Sequence, residues 1–101
     1  MITSKQRAYL RSLANRLTPI GQIGKDGVTQ SVIESVEKAL IAREIVKLTV
    51  LETALLSARE ASDILCEALL AEGVQCIGNR LVIYKRNDEK PQITLPNNHN
   101  G

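Results

Sequence analysis

Apolar residues recur along the chain at two spacings, one helical and one alternating, and the changeovers between them predict the elements. Leu10, Leu13, Ala14 and Leu17 follow the helical period and form a narrow stripe on a first helix. Thr3 and Gln6 stand at the two positions of a capping box that opens it, and Pro19 ends it. Residues 20–23 carry Ile20 and Ile23 without clean alternation, which is a short strand at most. Thr29 is placed as N-cap of a second helix, whose inward side holds Val32, Val36, Ala39 and Leu40 with Ile33 beside them. Residues 45–51 are β-branched and alternating: Val46, Leu48 and Val50 share one face, Lys47 and Thr49 the other. Ser57 and Glu60 form a second capping box, ahead of a third helix with the stripe Ala61, Ile64, Leu65, Ala68 and Leu69. Gly73 is placed to cap its C-terminus.

The stretch V-Q-C-I-G-N-R-L-V-I-Y reads as a β-hairpin closed at Gly78-Asn79. That turn pairs Cys76 with Leu81 and Val74 with Ile83 on an apolar face. Gln75, Ile77, Arg80, Val82 and Tyr84 take the other face, which is mixed and so partly open. Residues 91–96 carry the pattern of an edge strand bounded by two prolines, and residues 97–101 that of a disordered tail. The order α-β-α-β-α-β-β makes one α+β domain over residues 1–96, a mixed four-stranded sheet packed with three helices.

Composition narrows the class. A chain of 101 residues with 44% hydrophobic and 24% charged residues suits one soluble domain with its own core. With Tyr9 and Tyr84 as the only aromatics, that core is aliphatic. No run is apolar and long enough for a membrane span, which points to a cytoplasmic protein. Cys66 and Cys76 lack metal-site or redox-motif spacing and read as small hydrophobes; a disulfide requires their Cβ atoms to face each other. The net charge of +2 hides a strong asymmetry. Residues 1–25 carry Lys5, Arg7, Arg11, Arg16 and Lys25 and no acid, residues 26–72 are net negative, and residues 73–101 are basic again.

Catalysis has little to work with. The single histidine, His99, stands in the terminal tail, and no ligand set has metal spacing. A phosphate-binding P-loop needs four residues between its glycines and a Ser or Thr after the lysine. Here two residues separate Gly21 from Gly24, and Asp26 follows Lys25. These residues point away from an enzyme and imply no cofactor, metal or small-molecule substrate.

The segment G-K-D-G, Gly24 to Gly27, has two readings. It is a plain strand-to-helix turn, or it is a cradle for a sugar–phosphate backbone. In the second reading the absent Cβ atoms admit a close backbone, the helix start at Thr29 offers free amides, and Lys25 adds charge. Asp26 offsets part of that charge. Arg7 and Arg11 along the first helix, Lys47 and Arg80 on the mixed sheet face, and Arg86 after the hairpin supply further cations. A GxxG loop beside a basic surface is the arrangement by which KH domains hold single-stranded nucleic acid. Tyr84 is a candidate for base stacking, or for packing at the sheet edge.

Four motifs in order carry a more specific resemblance: Q-R-A-Y-L-R-S-L-A, I-G-Q-I-G-K-D-G-V-T, R-E-I-V-K-L-T-V and V-Q-C-I-G-N-R-L-V-I-Y-K-R. Together they resemble the CRM domain, and most of all its small bacterial members of the YhbY type. The resemblance implies an RNA-binding domain related in fold to the C-terminal domain of the third bacterial translation initiation factor. It implies association with ribosomal RNA and precursors of the large subunit in ribosome assembly, and it places the family's GxxG loop on Gly24, Lys25, Asp26 and Gly27. The competing expectation is a protein-interaction module that recruits a ribosomal protein or assembly factor through the sheet face or the edge near Ile93.

Overall fold

The computed structural model describes residues 2–96; the tail expected at 97–101, with His99, lies outside the described residues. Seven elements follow one another: α1 (Ser4–Ala14), β1 (Gly21–Ile23), α2 (Gln30–Arg43), β2 (Ile45–Val50), α3 (Ala58–Leu69), β3 (Glu72–Ile77) and β4 (Arg80–Tyr84). The strands form one sheet in the order β1-β2-β4-β3. β1 runs parallel to β2, and β4 is antiparallel to both β2 and β3.

Local chemistry fixes the helix starts. The Thr3 and Ser57 hydroxyls accept from the Gln6 and Glu60 amides, and the Gln6 and Glu60 side chains accept from the cap amides in return. Thr29 caps α2 by accepting from the Val32 amide at 3.2 Å. The helix ends differ from expectation. Leu70, not Gly73, takes the left-handed conformation that closes α3, at φ 57°, and Gly73 lies inside β3 opposite Ile83. α2 ends likewise on a left-handed Glu44, at φ 65°.

Two cores sit on opposite faces of the sheet. α2 and α3 bury Val36, Leu40, Ala61, Leu65 and Leu69 against Ile23, Val46, Leu48, Leu81 and Ile83. In α3 the inward stripe is rotated from the expected one: Ala58 and Ser62 are buried, while Ile64 is 45% exposed and Ala68 faces solvent. On the other face α1 covers Ile45, Val74, Val82 and Tyr84 with Leu10, Leu13 and Ala14, joined by Leu17 from the segment after it. The mixed face is therefore closed over much of its area. Val74 belongs to this second core because β3 shifts register between Gly73 and Gln75. Gly73 takes the place opposite Ile83 that was expected for Val74, whereas Cys76 opposite Leu81 is as expected.

Residues 91–96 form no strand. They run as coil over the second core, where Ile93 and Leu95 pack. Glu44 holds them. It is fully buried, and its carboxylate accepts from the amides of Asn87, Gln92 and Ile93, each at 2.6 Å. Burial alone would raise its pKa. The three amide donors, from Asn87, Ile93 and Gln92, together with the nearby Arg86, outweigh that and hold the carboxyl below its ordinary value.

Candidate nucleic-acid interface

The parallel pairing of β1 with β2 brings three connections to one end of the sheet. Residues 24–29 leave β1 there, the Leu51 amide donates to the Ile23 carbonyl, and the Val50 amide donates to the Asn79 carbonyl of the hairpin turn. The Gly27 amide donates to the Gly24 carbonyl at 2.9 Å, closing a turn with Lys25 and Asp26 at its exposed tip. Gly27 sits at φ 73° with nothing within 4 Å of where a Cβ would be, so the backbone conformation favours glycine and the space around it is open. Gly24 is not in the left-handed region, and a Cβ there would meet Leu51 Cδ1 at 3.8 Å, an ordinary contact. Of the two glycines, Gly27 is the one the turn favours. The Thr29 hydroxyl is engaged by the cap of α2, so that residue contributes a fixed helix start.

The sheet register places the other expected residues. Thr49 stands opposite Arg80, and Lys47 opposite Val82, so Lys47 and Arg80 share the face that α1 partly covers. Arg80 is exposed at the turn's end of the sheet. Lys47 is half-buried, its Nζ donating to the Leu17 carbonyl at 3.3 Å. Arg11 is exposed on α1. Arg7 and Arg86 lie elsewhere. Arg7 Nε donates to the Gly73 carbonyl on the far edge strand, and Arg86 follows β4 at the opposite end, 3.2 Å from the Asp88 carboxylate. The six residues of β2 put roughly 20 Å between the two ends of the sheet. The cations therefore do not form one ring about the turn: Lys25 and Arg80 lie at its end, and Arg7 and Arg86 lie away from it.

Tyr84 is 3% exposed and packed in the second core. Burial, with the Glu44 carboxylate near it, pushes its phenol up. Its ring has no free face for a base, which settles the choice in favour of packing. The sequence did not reveal why: the cover comes from α1 and residues 93–95, both remote along the chain. Both thiols are free and half-buried, and burial pushes Cys66 up. Among the described residues, no three His, Cys, Asp or Glu side chains gather as a metal site, and no helix is long and apolar enough to cross a membrane.

The family model of the CRS1 / YhbY (CRM) domain matches residues 2–85. The chain belongs to the CRM family. A Bacillus subtilis (strain 168) relative named "Probable RNA-binding protein YqeI" is 42% identical over 96 residues, covering 95% of this chain and all of that one. A Haemophilus influenzae protein named "RNA-binding protein" is 33% identical over 99 residues, covering 94% of this chain and 95% of its own. The solution structure of protein SAV1595 from Staphylococcus aureus superposes with a TM-score of 0.80 at 42% identity, over 95% of this chain and all of that one. The GKDG turn of this CRM domain thus sits on a fold shared with relatives that are named for RNA binding.

Proposed function

We propose that this CRM domain binds RNA at the GKDG end of its sheet, and that its target is ribosomal RNA in precursors of the large subunit. The observation that carries the reading is the open turn itself. Gly27 leaves open space where a side chain would stand, Lys25 is exposed at the tip, and Arg80 stands at the same end. The names of the relatives support RNA as the ligand class. The domain's part is to bind and position, with phosphate contacts supplying most of the affinity.

Binding therefore weakens with salt. Two phosphates neutralised by Lys25 and Arg80 give a slope of log K against log salt of about −1.4 for a single strand, and each further phosphate contact steepens it by about 0.7. A slope near zero would remove the electrostatic basis of the reading. The target is tested by crosslinking in cells and sequencing the bound RNA. Large-subunit ribosomal RNA supports the assignment, and a scatter of messenger RNAs contradicts it.

The protein-interaction alternative loses one of its two surfaces. Ile93 is packed over the second core, and no edge strand exists there to recruit a partner.

A further inference from the structure

The closed second core leaves one strip of its sheet face uncovered. Reading the register across all four strands, Gln22 stands opposite Thr49, Thr49 opposite Arg80, and Arg80 opposite Ile77. All four side chains lie on the α1 face. Their sequence neighbours Ile23, Val50, Leu81 and Cys76 pack into the other core. None of the four belongs to the core under α1. Gln22 and Arg80 are exposed, Thr49 is half-exposed, and Ile77 is 65% exposed. The row crosses three strand spacings, about 14 Å.

Its composition selects a kind of ligand. No acid stands in the row, nor in the next row of Lys47, Val82 and Gln75, which adds a second cation to Arg80. Arg80 offers a planar guanidinium on which a base can stack, and Ile77 an apolar surface for a base face. Thr49 and Gln22 offer neutral hydrogen-bonding groups between them. The row is continuous with the turn: Gln22 precedes Gly24 by two residues, and Asn79, beside Arg80, is hydrogen-bonded to the end of β2.

We propose that this row is the base-binding half of the interface. A single RNA strand whose phosphates rest at the GKDG turn lays its unstacked bases across Gln22, Thr49, Arg80 and Ile77. Thr49 and Gln22 meet base edges or the ribose 2′-hydroxyl, the group that separates RNA from DNA. The inference rests on the RNA reading above and adds to it a preference for unpaired RNA.

The test is fluorescence anisotropy with the full chain and three labelled probes: a single-stranded pyrimidine RNA, the same sequence as DNA, and an RNA duplex. Ile77→Ala and Thr49→Val change exposed or half-exposed side chains, and circular dichroism checks that both remain folded. Ile77→Ala weakens single-strand binding by about three- to tenfold with an unchanged salt slope. Thr49→Val narrows the preference for RNA over DNA. Arg80→Ala weakens binding and reduces the slope by about 0.7. If Gly27→Val loses affinity while Ile77→Ala and Thr49→Val bind like the parent, the row carries no bases and the inference is overturned, with the RNA reading intact. Equal affinity of the parent for duplex and single strand also overturns it. If the parent binds none of the three probes, both readings fall.

Discussion

Replacing Glu44 removes the acceptor that three backbone amides share, and two routes bound the cost. If residues 87–96 stay in place, the amides of Asn87, Gln92 and Ile93 are left unpaired in Glu44→Ala. At about 1–3 kcal/mol each, that is about 3–9 kcal/mol. If the segment lifts off, water satisfies those amides, and the loss is the burial of Ile93 and Leu95. Both side chains are only half-buried. A fully buried aliphatic side chain contributes about 1.5–3 kcal/mol, so two half-buried ones together contribute about 1.5–3 kcal/mol. The cheaper route dominates. Glu44→Ala therefore costs about 1.5–3 kcal/mol in urea unfolding, and amide exchange shows lost protection at Gln92 and Ile93 with β2 and β4 still protected. Glu44→Gln keeps one acceptor but turns a donor toward a neighbouring amide, and it falls between Glu44→Ala and the parent. The pH dependence follows from the direction of the shift. The folded-state pKa lies below the unfolded one, so the stabilisation is complete above the unfolded value and is lost as pH falls through the folded value. The gap between parent and Glu44→Gln is steady around pH 7 and closes as pH falls below the ordinary carboxylate range. A gap that persists undiminished in acid, or a Glu44→Ala protein as stable as the parent, would refute the reasoning.

Other perturbations separate the roles of the special backbone positions. Gly27→Val forces a β-branched residue to φ 73° and costs about 1–3 kcal/mol, whereas Gly24→Ala meets only an ordinary contact and stays within about 1 kcal/mol of the parent; matched urea titrations distinguish them. Leu70→Gly relieves an 81% exposed leucine at φ 57° and raises stability by about 1 kcal/mol, read as a higher Tm; a lower Tm contradicts the cap assignment. Cys66, whose thiol is pushed up by burial, reacts with iodoacetamide more slowly than free cysteine near neutral pH, and labelling at the free-cysteine rate contradicts the described burial.

What the sequence revealed depended on whether the deciding contact was local. Each cap of Thr3, Thr29 and Ser57 joins residues three apart, and all three helix starts were legible. The alternation of Val46, Leu48 and Val50 and the Gly78-Asn79 turn fixed β2 and the hairpin for the same reason. Val74 escaped because a one-residue bulge sends it to the other face, and no composition signal marks where a strand will bulge. Glu44 looked like one more surface acid at a helix end. Its partners stand 43 to 49 residues later, so only the fold shows it to be an anchor. The same distance left the choice for Tyr84 open between stacking and packing and made Ile93 look like part of an edge strand, since each is covered by chain from a distant part of the sequence. At the candidate interface the GKDG turn and the shared face of Lys47 and Arg80 were legible. That Arg7 lies away from the turn was not, because it depends on how α1 crosses the sheet, and Arg86 lies at the far end because β4 runs away from the hairpin turn.

The central claim is that RNA meets the GKDG end of the sheet. Backbone amide shifts recorded while a single-stranded ribosomal RNA fragment is titrated into the protein test it residue by residue. The account predicts the largest changes at Lys25, Asp26 and Gly27, extending to Gln22, Thr49, Ile77 and Arg80, with Glu44 and the outer faces of α2 and α3 unmoved. Changes concentrated on those helix faces, or around Arg86 and Asn87 at the opposite end, would contradict it.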